Sequence, residues 1–557
     1  MERIWLKNYP AGVPAEVNLA RYRTIKELIE DNVARFGTNV AYHCMGEELT
    51  FGQLDEFSKR FGAWLQSTGL AKGARIALMM PNVLQYPVCV FGALRAGYVV
   101  VNVNPLYTAR ELEHQLGDSG AEAIVVLESF APVLRQVVAK TPLRFIVLAS
   151  TGDLSGRKGN MAAEAARNAE KPDSAFSPRR ALAFERALQD GASATLHDPA
   201  INPEDVAFLQ YTGGTTGVSK GAMLTHRNIT AVVIQTNAFI GPPLGNAVNG
   251  TASIVTALPL YHIFALVLNC FCMLEFGAKS ILIPNPRDMD GLTKTIAKNR
   301  FQMISGVNTL FNGLLNHPDF AEGDFGELKL TIGAGMAVQK STADKWKKVT
   351  GCTLIEGYGL TETSATVTVN PVDLPEYNGS VGLPIPSTWV SIRNDDNEEL
   401  SSGQPGEVCI KGPQVMAGYW NSPEETAAVM TKDGYFRSGD IGTMDEQGYV
   451  RIVDRKKDMI IVSGFNVYPT EVEQVVTMHP GVLEAAAIGV QDEQSGEAVK
   501  LFVVKKDPTL TEQTLRDFCL QQLAGYKRHK HIEFRGELPK SNVGKILRKQ
   551  LRLGAGA

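Results

Sequence analysis

The sequence predicts an α/β protein. A large N-terminal domain of doubly wound, mostly parallel sheets carries a small β-barrel-like subdomain, and a small α+β domain follows it. Three observations lead there. Between residues 24 and 127, strand-like runs that are apolar throughout alternate with helical patterns, as in parallel sheets covered on both faces. Beyond Gly382 the texture changes to short strands separated by Gly, Pro and Asn turns, which suits antiparallel structure. Five consecutive charged residues, Asp454-Arg455-Lys456-Lys457-Asp458, then divide two apolar runs, and the stretch after them has helices and strands of its own. At 557 residues the chain is also too long for one core. The boundaries drawn are 1–453, a joining segment 454–458, and 459–557.

The elements follow in order. Residues 24–36 put Leu28, Ile29, Val33 and Phe36 at helical spacing, and Thr50 stands where it can cap a helix bearing Leu54, Phe57, Phe61 and Leu65. Arg75-Ile76-Ala77-Leu78-Met79-Met80 is an apolar strand stopped by Pro81-Asn82. A helix over 88–96, a strand over 99–103, a helix over 111–116 and a strand over 123–127 complete the first set. Residues 151–200, rich in Gly, Ala, Ser, Arg and Pro, read as a surface insertion. Val206-Ala207-Phe208-Leu209 is the next strand. A second alternating set runs from 253 through Phe301-Gln302-Met303-Ile304 to Leu328-Lys329-Leu330-Thr331-Ile332. Within it, residues 252–274 hold no Asp, Glu, Lys or Arg and reach membrane-spanning length. Pro259, Tyr261, His262 and Asn269 interrupt them, so strand, turn and buried helix is the reading. Short strands follow at 389–393, 406–410 and 449–453.

Composition narrows the function. The chain is 44% hydrophobic and 20% charged, ordinary for a soluble protein, and its net charge of −4 argues against a generic nucleic-acid binder. From residue 527 onward, nine basic residues face two acidic ones. A basic end on an acidic body suits an anionic ligand or surface; a solvated basic helix would look the same. Seven cysteines form no C-x-x-C pair, which fits a reduced cytoplasmic protein with buried thiols. Nine histidines show no metal spacing. The first seven residues lack the apolar core of a signal peptide, and neither end carries a lipidation signal.

The stretch that organises the chain is Tyr211-Thr212-Gly213-Gly214-Thr215-Thr216-Gly217-Val218-Ser219-Lys220-Gly221. Its glycines let successive N–H groups face a ligand, its hydroxyls add donors, and Lys220 adds a positive charge, which together suit a polyphosphate. It is not the G-x-x-x-x-G-K-[ST] loop, because no glycine immediately precedes Lys220 and no Ser or Thr immediately follows it. A flexible Gly/Thr loop is the plainer reading. Gly333-Ala334-Gly335 and Glu356-Gly357-Tyr358-Gly359-Leu360-Thr361-Glu362 put glycines at the carboxyl ends of apparent parallel strands, where open α/β sheets bind ligands. Tyr358 suits stacking on a purine or ordinary packing; Glu362 suits Mg2+ or plain solvation.

These stretches, with Tyr435-Phe436-Arg437-Ser438-Gly439-Asp440, the charged run 454–458 and Pro539-Lys540-Ser541-Asn542-Val543-Gly544-Lys545, occur in the order seen in adenylate-forming enzymes. That superfamily includes acyl-CoA synthetases, firefly luciferase and peptide-synthetase adenylation domains. Within it the sequence most resembles bacterial long-chain fatty acyl-CoA synthetases, notably at Pro259-Leu260-Tyr261-His262-Ile263-Phe264 and Gly464-Phe465-Asn466-Val467-Tyr468-Pro469.

The resemblance implies roles for the matched positions. Thr212, Gly213, Gly214, Thr215, Thr216, Gly217 and Lys220 would hold the β- and γ-phosphates of ATP. Gly333, Ala334, Gly335, Glu356, Gly357, Tyr358 and Gly359 would line the adenine pocket. Thr361 and Glu362 would serve the α-phosphate and Mg2+, Asp440 with Arg455 the ribose, and Lys545 the approach of two anions during catalysis. Lys457 would be the hinge of a mobile small domain. His262, Gly306, Val307 and Gly335 would border the acyl pocket, His262 as wall or gate, and Gly464 and Phe465 the coenzyme A region. Ser438 stands where the family usually has Thr, and keeps the hydroxyl.

The activity implied is activation of a long-chain fatty acid to its coenzyme A thioester through acyl-AMP, feeding fatty-acid degradation. A medium-chain or aryl acid ligase, a ligase loading a carrier protein, and a nucleotide- or lipid-binding protein without catalysis are the alternatives. Partners expected are fatty acid, ATP and coenzyme A, with no nucleic acid. A reversible contact with the inner face of the cytoplasmic membrane is placed at Arg3-Ile4-Trp5-Leu6-Lys7 and the segment from Lys527, and a homodimer is allowed.

Overall fold

The computed structural model describes residues 2–154, 176, 180–212, 219–245, 249–492, 494–541 and 544–555. Eight strands form the first sheet, in the order Gly418–Tyr419, Lys220–Thr225, Val206–Thr212, Val99–Asn102, Arg75–Met79, Ala123–Leu127, Phe145–Ala149 and Arg180–Ala183. Its pairs are parallel except where Lys220–Thr225 runs against both of its neighbours. The second sheet has nine strands, with Leu354–Tyr358, Leu330–Gly333, Met303–Gly306, Ser253–Thr256 and Lys279–Leu282 parallel at its centre. Its far edge is Val40–Cys44 and Glu47–Thr50, an N-terminal hairpin that sequence periodicity did not single out.

Local chemistry explains the helices. Thr24 caps Ile25–Phe36 by accepting from the Glu27 N–H, and Thr50 forms a capping box with Gln53 at the start of Phe51–Ser67. The charge-free stretch is strand Ser253–Thr256, a turn, and one helical run whose middle, Leu266–Cys272, is a fully buried π-helix. Among the described residues no helix is long and apolar enough to cross a membrane.

Two expectations need correcting. Residues 155–175 and 177–179 lie outside the described residues, but the rest of the supposed insertion is built into the fold. Arg180–Ala183 extends the first sheet, and Phe184, Ala187 and Leu188 on helix Phe184–Ala192 are buried. Gly191 there packs against Arg60 so closely that a Cβ would stand 1.9 Å from its carbonyl oxygen. Small residues that looked like linker composition are thus what lets two backbones approach. Trp5 is the second case: it is 1% exposed and joins the main core, so the N-terminal segment has no free tryptophan for a membrane surface.

An antiparallel sheet of Trp389–Arg393, Gly406–Lys411, Phe436–Met444 and Val450–Arg455 is the small β subdomain. Its last strand takes in Asp454 and Arg455 of the charged run. The turn after it leads to Ile460–Val462 and a five-stranded sheet with its own cores, Val472, Leu501 and Leu515 in one and Phe502, Leu538 and Leu551 in the other. Six of the nine basic residues counted from Lys527 pair with acids: Lys527 with Glu471, Lys530 with Asp492, Arg535 with Glu533, Lys540 with Glu484, Arg548 with Glu473 and Arg552 with Asp458. Most of that end's charge is used within the domain.

Candidate active site

The site is built at the carboxyl ends of the central strands of the second sheet. Gly306, Gly333 and Glu356 are register neighbours on three adjacent parallel strands. Bulk is excluded there by contact: a Cβ on Gly333 would stand 2.6 Å from Val338 Cγ2, and one on Gly306 2.8 Å from Phe311 Cζ. Ala334 and Val307 continue the rim and are buried. Gly335 turns the chain with φ +80°, a conformation that glycine adopts without strain.

Glu356 faces inward. Its carboxylate accepts from the Val338 N–H at 2.7 Å and the Tyr377 hydroxyl at 2.8 Å, and burial pushes its pKa up to about 7. Its backbone carbonyl accepts from the Asn370 N–H at 3.0 Å and the Asn370 side-chain amide at 3.2 Å. Gly357 and Tyr358 are the last two residues of strand Leu354–Tyr358, at its carboxyl end as expected. Gly359 passes under Ala365, whose carbonyl oxygen would be 1.6 Å from a Cβ.

Tyr358 donates its hydroxyl to Asp440 Oδ2 at 2.7 Å. Asp440 and Arg455 are register partners across Phe436–Met444 and Val450–Arg455, with Nε 3.3 Å from Oδ1. Burial raises the Asp440 pKa, and Arg455 opposes the rise. The Asp440 N–H donates to Ser438 Oγ at 3.0 Å, so the hydroxyl retained at that position is in use.

Thr361 and Glu362 sit on the single turn Thr361–Thr363, both partly exposed. Glu362 Oε1 accepts from the Tyr419 hydroxyl at 2.8 Å. Of the glycine-threonine loop, Gly213, Gly214, Thr215, Thr216 and Gly217 lie outside the described residues. Its two ends are described: Thr212 and Lys220 pair across adjacent antiparallel strands. Lys220 Nζ stands 2.7 Å from Glu425 Oε2 and 5.5 Å from the centre of the Tyr419 ring.

Lys545 enters from the small domain. A Cβ on Gly335 would meet its Cε at 3.2 Å and its Nζ at 3.7 Å. Burial first, then Arg455, lowers its pKa from 10.5 to about 8, while Asp440 and Glu362 act in the opposite sense. The same ammonium helps burial push His262 down to about 3. His262 is therefore a neutral imidazole, and its Nδ1 accepts from the Phe264 N–H at 3.3 Å as a helix cap. The turn that presents Lys545 is held by Ser541, whose N–H donates to the Lys545 carbonyl at 2.7 Å and whose Oγ accepts from the Lys545 N–H at 3.1 Å.

Lys457 lies in the turn between Val450–Arg455 and Ile460–Val462, where burial of its ammonium and then Arg455 lower its pKa to about 8 and Asp440 acts in the opposite sense. Two other predicted residues stand apart. Gly464 is exposed at φ +84°, and Phe465, 57% exposed, stacks on Tyr526 at 4.9 Å between ring centres. Sequence reading missed Tyr377, Tyr419, Glu425 and Ser541 as site residues. Gly418-Tyr419-Trp420 was open to notice as a strand edge beside a glycine; for Tyr377 nothing local points to a buried carboxylate 21 positions away.

Glycines at parallel strand ends, an acidic residue paired with arginine beside them, and a lysine delivered by a second domain define a two-domain nucleotide-using site, and the chain belongs to the AMP-binding enzyme family. The family model matches residues 29–420, and that of the AMP-binding enzyme C-terminal domain matches 471–545. The long-chain-fatty-acid–CoA ligase of Escherichia coli O157:H7 is 55% identical over 554 residues, 99% of this chain and 98% of its own. Among solved structures, the anthranilate CoA ligase AuaEII in complex with anthranoyl-AMP matches with a TM-score of 0.85 at 25% identity, covering 97% of this chain and 99% of that one. ATP-bound MatB from Rhodopseudomonas palustris matches with 0.82 at 28%, covering 95% and 98%.

Proposed function

We propose that the protein converts long-chain fatty acids to coenzyme A thioesters in two steps, supplying fatty-acid degradation. A carboxylate oxygen attacks the α-phosphorus of ATP and the bond to pyrophosphate breaks, leaving acyl-AMP. The thiolate of coenzyme A then attacks the acyl carbonyl, and AMP departs with the electrons of the anhydride bond. The observation that carries this reading is the seating of Lys545 against Gly335, within electrostatic reach of Asp440 and Glu362. Two anions must meet in the first step, and a cation already in place stabilises the charge that develops.

The family resemblance supports the other roles. Asp440, held by Tyr358 and Arg455, takes the ribose hydroxyls, and the loop bounded by Thr212 and Lys220 takes the β- and γ-phosphates. The rim of Gly333, Ala334, Gly335, Gly357, Tyr358 and Gly359 admits adenine. The hard oxygen donors of Glu362 fit Mg2+, which when bound would neutralise phosphate charge. His262, Gly306 and Val307 border the acyl entry. In the second step the small domain rotates about Lys457, withdrawing Lys545 and bringing Gly464 and Phe465 towards coenzyme A.

ATP–pyrophosphate exchange and thioester formation, measured with acids of increasing length and with either coenzyme A or a carrier protein, test the reading. Exchange and coenzyme A thioester formation that rise into long chains support it. A preference for medium-chain or aryl acids, or for the carrier protein, favours another ligase of the family, and absence of exchange favours a binding protein. For delivery of an amphiphilic acid we infer a cytoplasmic location with weak, reversible contact at the membrane's inner face.

A further inference from the structure

We propose that Tyr419 is a positioning residue that holds the metal-binding carboxylate and the phosphate-binding lysine in one frame. This rests on the reading above that Glu362 serves Mg2+ and Lys220 the triphosphate. The two groups come from different parts of the chain, the single turn Thr361–Thr363 and the start of strand Lys220–Thr225. One side chain meets both. The Tyr419 hydroxyl donates to Glu362 Oε1 at 2.8 Å, while its ring lies 5.5 Å from Lys220 Nζ.

Its own placement is fixed. Gly418–Tyr419 pairs with the strand that Lys220 opens, Tyr419 opposite Ala222. The Tyr419 N–H donates to Thr426 Oγ1 at 2.8 Å, and the residue is 9% exposed. The turn bearing Glu362 is bound to the same segment, since the Met416 N–H donates to the Glu362 carbonyl at 2.8 Å. A carboxylate oxygen oriented in this way presents its other oxygen to a cation, and partners of this kind typically contribute about 10–100-fold to metal affinity.

The test is calorimetric titration of the full-length protein with ATP, with and without Mg2+, on wild type, Tyr419→Phe, Tyr419→Leu, Glu362→Gln and the double variant Tyr419→Phe/Glu362→Gln. Tyr419→Phe keeps the ring and removes the hydroxyl. It is expected to leave metal-free ATP affinity within about twofold and to cut the gain on adding Mg2+ about tenfold. Tyr419→Leu also removes the ring face and should lower metal-free affinity, by about fivefold. The double variant should match Glu362→Gln alone, because the hydroxyl acts only through that carboxylate. An unchanged Mg2+ gain in Tyr419→Phe, or additive losses in the double variant, overturns the proposal. If Glu362→Gln itself leaves the Mg2+ gain intact, the assignment of Glu362 to the metal fails instead.

Discussion

Gly335 is the seat of Lys545: a Cβ there would stand 3.2 Å from the lysine's Cε. The glycine belongs to the large domain and the lysine to the small one, so this contact is where the two domains meet at the site. With φ at +80°, residue 335 is suited to glycine on backbone grounds as well as on space.

Lys545→Ala is expected to reduce acyl-AMP formation by about 10²–10³-fold, the cost of losing one placed charge contact to a transition state. Thioester formation from supplied acyl-AMP should survive. Separate assays of the two half-reactions check this, and equal loss in both would rule out a lysine confined to the first step.

A pH dependence follows from the same residue. Lys545 must be protonated to act, and its pKa is about 8 where 10.5 is ordinary. The kcat/KM of ATP–pyrophosphate exchange should therefore fall as pH rises through about 8, and Lys545→Arg should move that limb to higher pH. Stability moves the other way. Between about 8 and 10.5 the unfolded chain binds the extra proton, so stability should rise with pH, and Lys545→Met should remove that rise.

Gly335→Ala adds a methyl where Lys545 rests and forces a non-glycine residue into positive φ. The backbone strain is worth about 1–2 kcal/mol. Adenylation should drop while thioester formation from acyl-AMP is retained, and circular dichroism should show an unchanged fold. Matching loss in both half-reactions would mean that the glycine serves the fold and not the lysine.

Lys457→Pro tests the rotation. Proline fixes φ and deletes the N–H, removing freedom from the turn. Adenylation should persist and thioester formation should collapse, the mirror of Lys545→Ala. Survival of both activities would place the hinge elsewhere.

Trp5→Ala should act on stability and not on lipid binding. Trp5 is buried, and truncating a core tryptophan costs about 3–5 kcal/mol. Thermal unfolding should register that loss. Sedimentation with anionic vesicles should be unaffected by the substitution and only mildly sensitive to salt, since six of the nine basic residues from Lys527 onward already face acids. A steep fall in vesicle binding with salt would show that those pairs open at a membrane.

The sequence by itself determined most of the elements and several of the short segments that carry chemistry. Apolar runs such as Ala123–Leu127 are strands because every residue can be buried, and Thr24 and Thr50 start helices because their hydroxyls satisfy free N–H groups. Gly333, Gly335 and Glu362 stood out because glycines and a carboxylate after apolar runs are visible locally, whereas Asp440 and Lys545 were marked by the family resemblance of the motifs that hold them. The tertiary structure decided which of these meet. Val40–Cys44 joins a strand more than two hundred positions away, Tyr377 satisfies Glu356, Tyr419 orients Glu362, and Trp5 enters the core. None of these pairings has a local period, because burial and hydrogen-bond satisfaction are settled between surfaces that the folded chain alone brings together. Residues 180–192 make the same point: their small side chains looked like linker until close packing against Arg60 gave them their reason.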